Sequence, residues 1–159
     1  MTRVLCYSWS ERTARVAAAV AAELAVEMDR IVAPRVRAGG LWGMLVWGRA
    51  ARAGADTPVE VPPVDWPRFG ALVLAAPVWA GRVAVPMASF LRAHPALPPR
   101  LGLVMTGADP RRPAGAFADF ARLAGREPLA TLYVARARVE RGDFAPDIAE
   151  FCAALAAGP

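Results

Sequence analysis

Two hydrophobic rhythms alternate along the chain. Short unbroken apolar runs read as buried strands: "RVLCY" (Arg3 to Tyr7), the weaker "RIVAP" (Arg30 to Pro34), "ALVLAAP" (Ala71 to Pro77), "LGLVMT" (Leu101 to Thr106) and "LATLYVARA" (Leu129 to Ala137). Between them the apolar residues recur at three- and four-residue spacing, the helical period. Val16, Val20 and Leu24 form such a stripe within a helix expected over Ser10 to Glu27, with Arg15, Glu23 and Glu27 off it. Further helices are predicted over Leu41 to Ala53, Val85 to Ala93, Pro113 to Ala124 and Phe144 to Ala156. Pro113 falls in the first turn of its helix, where its missing N–H costs nothing. The Gly54 to Pro67 stretch is Pro-rich and reads as an extended connector.

Five strands alternating with five helices predict an α/β domain built on a parallel sheet. The all-apolar "ALVLAAP" fits a parallel strand covered on both faces. A chain of 159 residues is the size of one domain, so residues 1–159 are read as a single unit.

Composition changes this picture little. Nineteen basic residues stand against fourteen acidic ones, for a net charge of +5, and every basic residue is Arg. Lys, Asn and Gln are absent while Ala, Arg, Gly and Pro are abundant, the signature of GC-rich coding. The charge still favours an anionic ligand, an acidic protein or a membrane surface. No basic run is interleaved with aromatics, which argues against nucleic acid. The longest strongly apolar window, "GLWGMLVWG", is far too short to cross a bilayer. The chain opens directly on a strand, so no leader is expected and a cytoplasmic location is read. Cys6 and Cys152 read as two buried reduced thiols. A single His cannot complete a metal site, and His94 reads as a surface residue. No metal ligand set and no catalytic nucleophile or base is identified.

Candidate chemistry sits where strands end. In open α/β sheets ligands bind beyond the carboxyl ends of strands, where the strand order reverses. After the first strand comes "SWSERT", with Ser8, Trp9, Ser10, Glu11, Arg12 and Thr13. After the third comes "PVWAGR", with Pro77, Val78, Trp79, Ala80 and Gly81. After the fourth comes "TGADP", with Thr106, Gly107 and Ala108. Helix-start amides beside Ser and Thr hydroxyls suit a phosphate. Trp79 offers a flat aromatic face, and Gly81 and Gly107 permit close backbone approach. Each stretch also has a plainer reading. Ser8-Trp9-Ser10-Glu11 fits a capping box, in which Glu11 turns back onto the Ser8 N–H. Trp79 alone could be a packing residue, and Thr106-Gly107 a simple strand-end turn. A carboxylate at Glu11 would also repel a bound phosphate.

Taken together, "YSWSERTARVAAAVAAEL", "LVLAAPVWAGRVAVPMASFL" and "LVMTGADP" resemble the flavodoxin family, and within it the short-chain flavodoxin-like FMN proteins. The resemblance covers nearly the whole chain. It implies a three-layer flavodoxin-like fold, with a five-stranded parallel sheet in the order 2-1-3-4-5 and helices on both faces. It implies FMN as cofactor, with Ser8, Ser10 and Thr13 as phosphate-loop hydroxyls and the Pro-Val-Trp-Ala-Gly loop beside the flavin ring. Glu11 stands where the family carries Gly. The implied function is electron transfer through the flavin. The protein is then an oxidoreductase acting on a quinone or similar small acceptor, a carrier serving a redox partner protein, or a degenerate binding module without FMN. A homodimer is possible. The segment "GLWGMLVWGRAARAG" has two readings, a helix covering the sheet or an amphipathic lip beside the flavin that receives a quinone or meets a membrane. Its Trp42 and Trp47 lie about 140° apart on a helix, so both cannot easily face the core.

Overall fold

The computed structural model describes residues 1–37 and 39–158. The elements in chain order are β1 (Thr2–Cys6), α1 (Arg12–Glu23), β2 (Met28–Arg30), α2 (Gly40–Arg52), β3 (Ala71–Trp79), β4 (Arg82–Val83), α3 (Val85–Ala93), β5 (Arg100–Gly107), α4 (Ala114–Ala124), β6 (Ala130–Ala135), α5 (Arg136–Arg141) and α6 (Ala145–Ala157). The sheet runs β2-β1-β3-β5-β6 with all four pairings parallel, and β4 folds back antiparallel on β3. With that two-residue strand set aside, this is the expected 2-1-3-4-5 order.

Strand alternation divides the core between the two faces. Leu5, Leu72, Leu74, Leu103 and Met105 point to one side, where they meet α3, α4 and the C-terminal part of α2 through Phe90, Leu91, Phe120 and Ala51. Val4, Cys6, Val73, Ala75 and Val104 point to the other, against α1 and α6 through Val16, Val20, Ile148 and Phe151. Because β3 is wholly buried on both faces until Ala76, its sequence shows no polar alternation.

Element ends differ from the sequence reading for local reasons. The helix expected over Ser10 to Glu27 spans only Arg12–Glu23. It closes at Ala25, which takes a left-handed φ of 52°, while the amides of Ala25 and Val26 reach back to Ala22 and Ala21. That is a helix stop normally signalled by Gly, and here it carries a methyl. The second strand lies at Met28–Arg30 because pairing with β1 fixes it there; beyond it only Val32 bridges, to Glu60. The last strand stops at Ala135, and α5 begins at the next residue.

Candidate functional site

The loops after β1, β3 and β5 converge at one end of the sheet around a cavity of about 380 Å3. Ten of the fourteen expected site residues line it: Trp9, Ser10, Arg12, Pro77, Val78, Trp79, Ala80, Thr106, Gly107 and Ala108. The volume falls in the range of small-molecule and cofactor pockets, about 300–1,000 Å3. Two arginines and no carboxylate face it, Arg12 and Arg136.

The first loop is built differently from a capping box. The Ser8 hydroxyl accepts from the Ala14 amide at 3.2 Å, so it braces the first turn of α1. Glu11 is the residue before the helix, in a left-handed conformation with φ 61° and no side-chain cap. Its carboxylate turns away onto Arg30, at 2.6 and 3.1 Å, and that guanidinium holds the acid below the ordinary carboxylate range. The expected turn of Glu11 onto Ser8 is therefore replaced by an ion pair to β2. The left-handed backbone explains why a Gly suits this position, since a Cβ there is strained. Thr13 also departs from expectation. Its hydroxyl is buried and shares a 2.7 Å hydrogen bond with Thr106, joining α1 to the end of β5 beneath the cavity. Of the three hydroxyls, only Ser10 is left beside the cavity. Among the described residues, no protein acceptor takes the amides of Trp9, Ser10, Glu11, Arg12 and Thr13. They form a cluster of free donors at a helix start.

The second loop is a hairpin. Ala80 (φ 50°) and Gly81 (φ 75°) make the two-residue turn between β3 and β4, both in the left-handed region that such turns require. Asp119 of α4, buried, holds this hairpin by accepting from the Val83 amide at 3.1 Å and from Arg82 at 3.4 Å. Gly81 itself does not line the cavity; it supplies the turn that carries Trp79 and Ala80. Trp79 is 7% exposed and forms part of the cavity floor within an aromatic cluster. Trp9 and Tyr7 meet it edge-on at 5.1 and 5.7 Å, and Trp47 of α2 lies at 6.2 Å. The buried indole N–H of Trp9 has no acceptor among the described residues.

Gly107 ends the third loop's strand. A Cβ there would stand 2.8 Å from the Tyr133 hydroxyl and 3.4 Å from Val78. Tyr133 donates to the Asp109 carbonyl at 2.6 Å, which pins the loop beyond Gly107.

Two further parts complete the wall. Gly39, Gly40, Met44 and Gly48 bring the start and one side of α2 to the cavity, in line with the amphipathic-lip reading of that segment, whose individual residues the sequence did not single out. Arg136, which sequence reasoning missed, enters from the start of α5. Arg136 had a readable signal, since it follows a strand at the same sheet end, but the strand was carried past it.

No family model matches the chain, and no curated protein does. Solved structures do. A flavoprotein from Lactobacillus acidophilus NCFM, crystallised in complex with FMN, superposes with a TM-score of 0.72 at 18% identity, covering 88% of this chain and 96% of that one. The fold is flavodoxin-like. A WrbA-like flavodoxin from Agrobacterium tumefaciens matches at a TM-score of 0.57 and 13% identity over 98% and 96% of the two chains. The rubredoxin:oxygen oxidoreductase of Desulfovibrio gigas contains a similar unit, at a TM-score of 0.51 and 14% identity, covering 99% of this chain and 37% of that one. The flavodoxin-like resemblance read from three loops thus extends to the whole backbone.

Proposed function

We propose that the cavity binds FMN and that the protein is a flavin redox protein delivering electrons to a quinone or a similar small acceptor. The observation that carries this reading is the lining itself: an aromatic floor, free helix-start amides, two arginines and no acid, at the sheet end where three expected loops converge. The residues fit the group. The amides of Ser10 to Thr13, the Ser10 hydroxyl, Arg12 and Arg136 would hold the phosphate, because the lining offers a dianion amide donors and two guanidinium groups, of which Arg12 is shared with Glu140. Trp79 and Trp9 would flank the ring, while Pro77, Val78, Ala80 and Gly107 bring backbone to its edge. Glu11 is no obstacle, since its charge is spent on Arg30.

When bound, the flavin supplies one- or two-electron transfer. The chain's own contribution is position and electrostatics. Arg12 is oriented by Glu140, at 2.8 Å, and by the Ser10 hydroxyl, at 3.1 Å, so its charge stays at the cavity edge. The hairpin held by Asp119 fixes Trp79. The buried Thr13–Thr106 bond keeps the first and third loops in register beneath the ligand.

Arg136→Ala tests the reading. FMN affinity should fall about 10- to 100-fold, the worth of one charge-assisted hydrogen bond at ~1.5–3 kcal/mol. Riboflavin, which lacks the phosphate, should bind both forms alike. A wild type that binds neither, by absorbance and fluorescence titration, removes the proposal. Oxidation of a reduced nicotinamide nucleotide in the presence of a quinone then separates an enzyme from a carrier.

A further inference from the structure

Among the described residues, the N-terminal half of α2 holds the largest group of exposed apolar side chains. Leu41 is 84% exposed, Trp42 76%, Leu45 53% and Val46 43%, whereas Trp47 packs toward Trp79 and Ala51 is buried. At about 100° per residue, Leu41, Trp42, Leu45 and Val46 share one outward face, and Arg49 and Arg52 continue it toward the helix C-terminus. The helix is about 20 Å long. From Ile31 to Ala55 the sequence holds four arginines, Arg35, Arg37, Arg49 and Arg52, and no Asp or Glu. None of the four is in an ion pair among the described residues. The remaining side of α2 is anchored: Trp9 lies 3.4 Å from where a Cβ on Gly43 would stand, and Gly48 and Met44 line the cavity.

We propose that α2 docks the protein onto an anionic lipid surface. Trp42, Leu41, Leu45 and Val46 enter the interfacial zone, and the arginines rest among the headgroups. An indole beside aliphatic side chains suits the region between headgroup and acyl chain, where one side of the helix is dry and its edges wet. Unpaired arginines with no acid among them are complementary to phosphate headgroups. The same charges argue against a parallel pairing with a second copy of this chain, which would set arginines against arginines. No helix among the described residues is long and apolar enough to cross a membrane, so the contact is peripheral. Where the FMN reading holds, docking would place the cavity wall formed by Met44 and Gly48 beside the lipid, within reach of a lipid-soluble acceptor. The docking itself does not depend on that reading.

Vesicle co-sedimentation of the full chain tests this, with and without FMN. The wild type should sediment with phosphatidylglycerol vesicles at low salt and remain largely in solution with phosphatidylcholine. Trp42→Glu/Leu45→Glu should lower the bound fraction at least about tenfold. Arg49→Ala/Arg52→Ala should weaken partitioning by about 10- to 30-fold and remove most of its salt dependence. None of these four side chains packs in the core or lines the cavity, so the melting temperature should hold and FMN titrations should match the wild type; a failure to bind FMN by all forms bears on the cofactor and leaves the vesicle result standing. Several outcomes overturn the proposal. A wild type left in solution by every vesicle removes lipid as the occupant. Sedimentation unchanged in the Glu variant moves the contact elsewhere, and equal binding to both lipids refutes the role of charge. A dimer in solution that Trp42→Glu dissociates makes the face a self-association surface.

Discussion

At the scale of single residues, Glu11 is where side chain and backbone disagree. Its left-handed φ costs about 1–2 kcal/mol for a residue with a Cβ. Its ion pair with Arg30 is largely exposed, and such pairs return about 0–1 kcal/mol. Glycine would relieve the strain, lose the pair and add about 0.5–1 kcal/mol of unfolded-state entropy. The balance is close to neutral or slightly favourable, so Glu11→Gly should melt at the wild-type temperature or about 1–3 °C above it. Glu11→Gln keeps the strain and loses the charge, and should melt below both. A calorimetric scan of the three proteins checks the order; a glycine variant melting well below the wild type would show that the Arg30 pair outweighs the backbone strain, and one melting below Gln would show that no strain is relieved. Glu11→Gln should also leave FMN affinity within about threefold, because the carboxylate already faces Arg30 rather than the cavity. The sequence hid this arrangement. Ser8 and Glu11 have the spacing of a capping box, and only the backbone angle, with the helix starting at Arg12, shows that the acid serves β2 instead.

At the scale of elements, β5 and α6 approach closely at Gly102. A Cβ on Gly102 would stand 2.7 Å from Cζ of Phe151 and 3.3 Å from Val73. All three sit in the core, where little can yield. Gly102→Ala should therefore destabilise by about 1–3 kcal/mol through overpacking. Phe151→Leu alone should also destabilise, but the double variant should recover part of the loss, giving a coupling of about 0.5–2 kcal/mol in urea melts. Purely additive losses would mean that α6 shifts away as a body. The elements most legible in the sequence were those whose period is set by burial on this scale: β3, β5, α3 and α6 fall within one or two residues of expectation. The short ones were not. β4 has two residues and exists because Asp119 and the Ala80–Gly81 turn hold it, and α5 has six and follows a strand without a break. Neither is long enough to show a period. The same holds for the site: strand-end loops were readable from residue type, the α2 segment was readable only as one of two alternatives, and Arg136 reaches the cavity through tertiary placement.

At the scale of the whole molecule, charge and sheet order have separate consequences. Arg138 of α5 pairs with Asp147 of α6 at 2.7 Å, and that hydrogen-bonded guanidinium holds the Asp147 carboxyl below its ordinary range. A carboxyl whose folded pKa is depressed contributes stability above its unfolded pKa, about 3.9, and loses it as pH falls through the lower folded value. Glu11 shifts the same way. With a net charge already at +5, each protonated acid also adds to repulsion. The melting temperature should hold from neutral pH to about pH 5 and decline below it. Asp147→Asn should sit a few degrees lower at pH 7 and converge with the wild type near pH 2–3; parallel curves over that range would show that the pair carries no stability. The order β2-β1-β3-β5-β6 acts earlier in the protein's life. β1 is an interior strand, yet it is made first, and its second partner begins about forty residues after β2 ends. On a ribosome adding about 5–20 residues per second, that edge of β1 waits roughly 2–8 s for β3. Throughout that interval Val4, Leu5 and Cys6 stand beside a row of unpaired backbone groups, which makes the nascent chain, more than the finished domain, the form that a chaperone must cover.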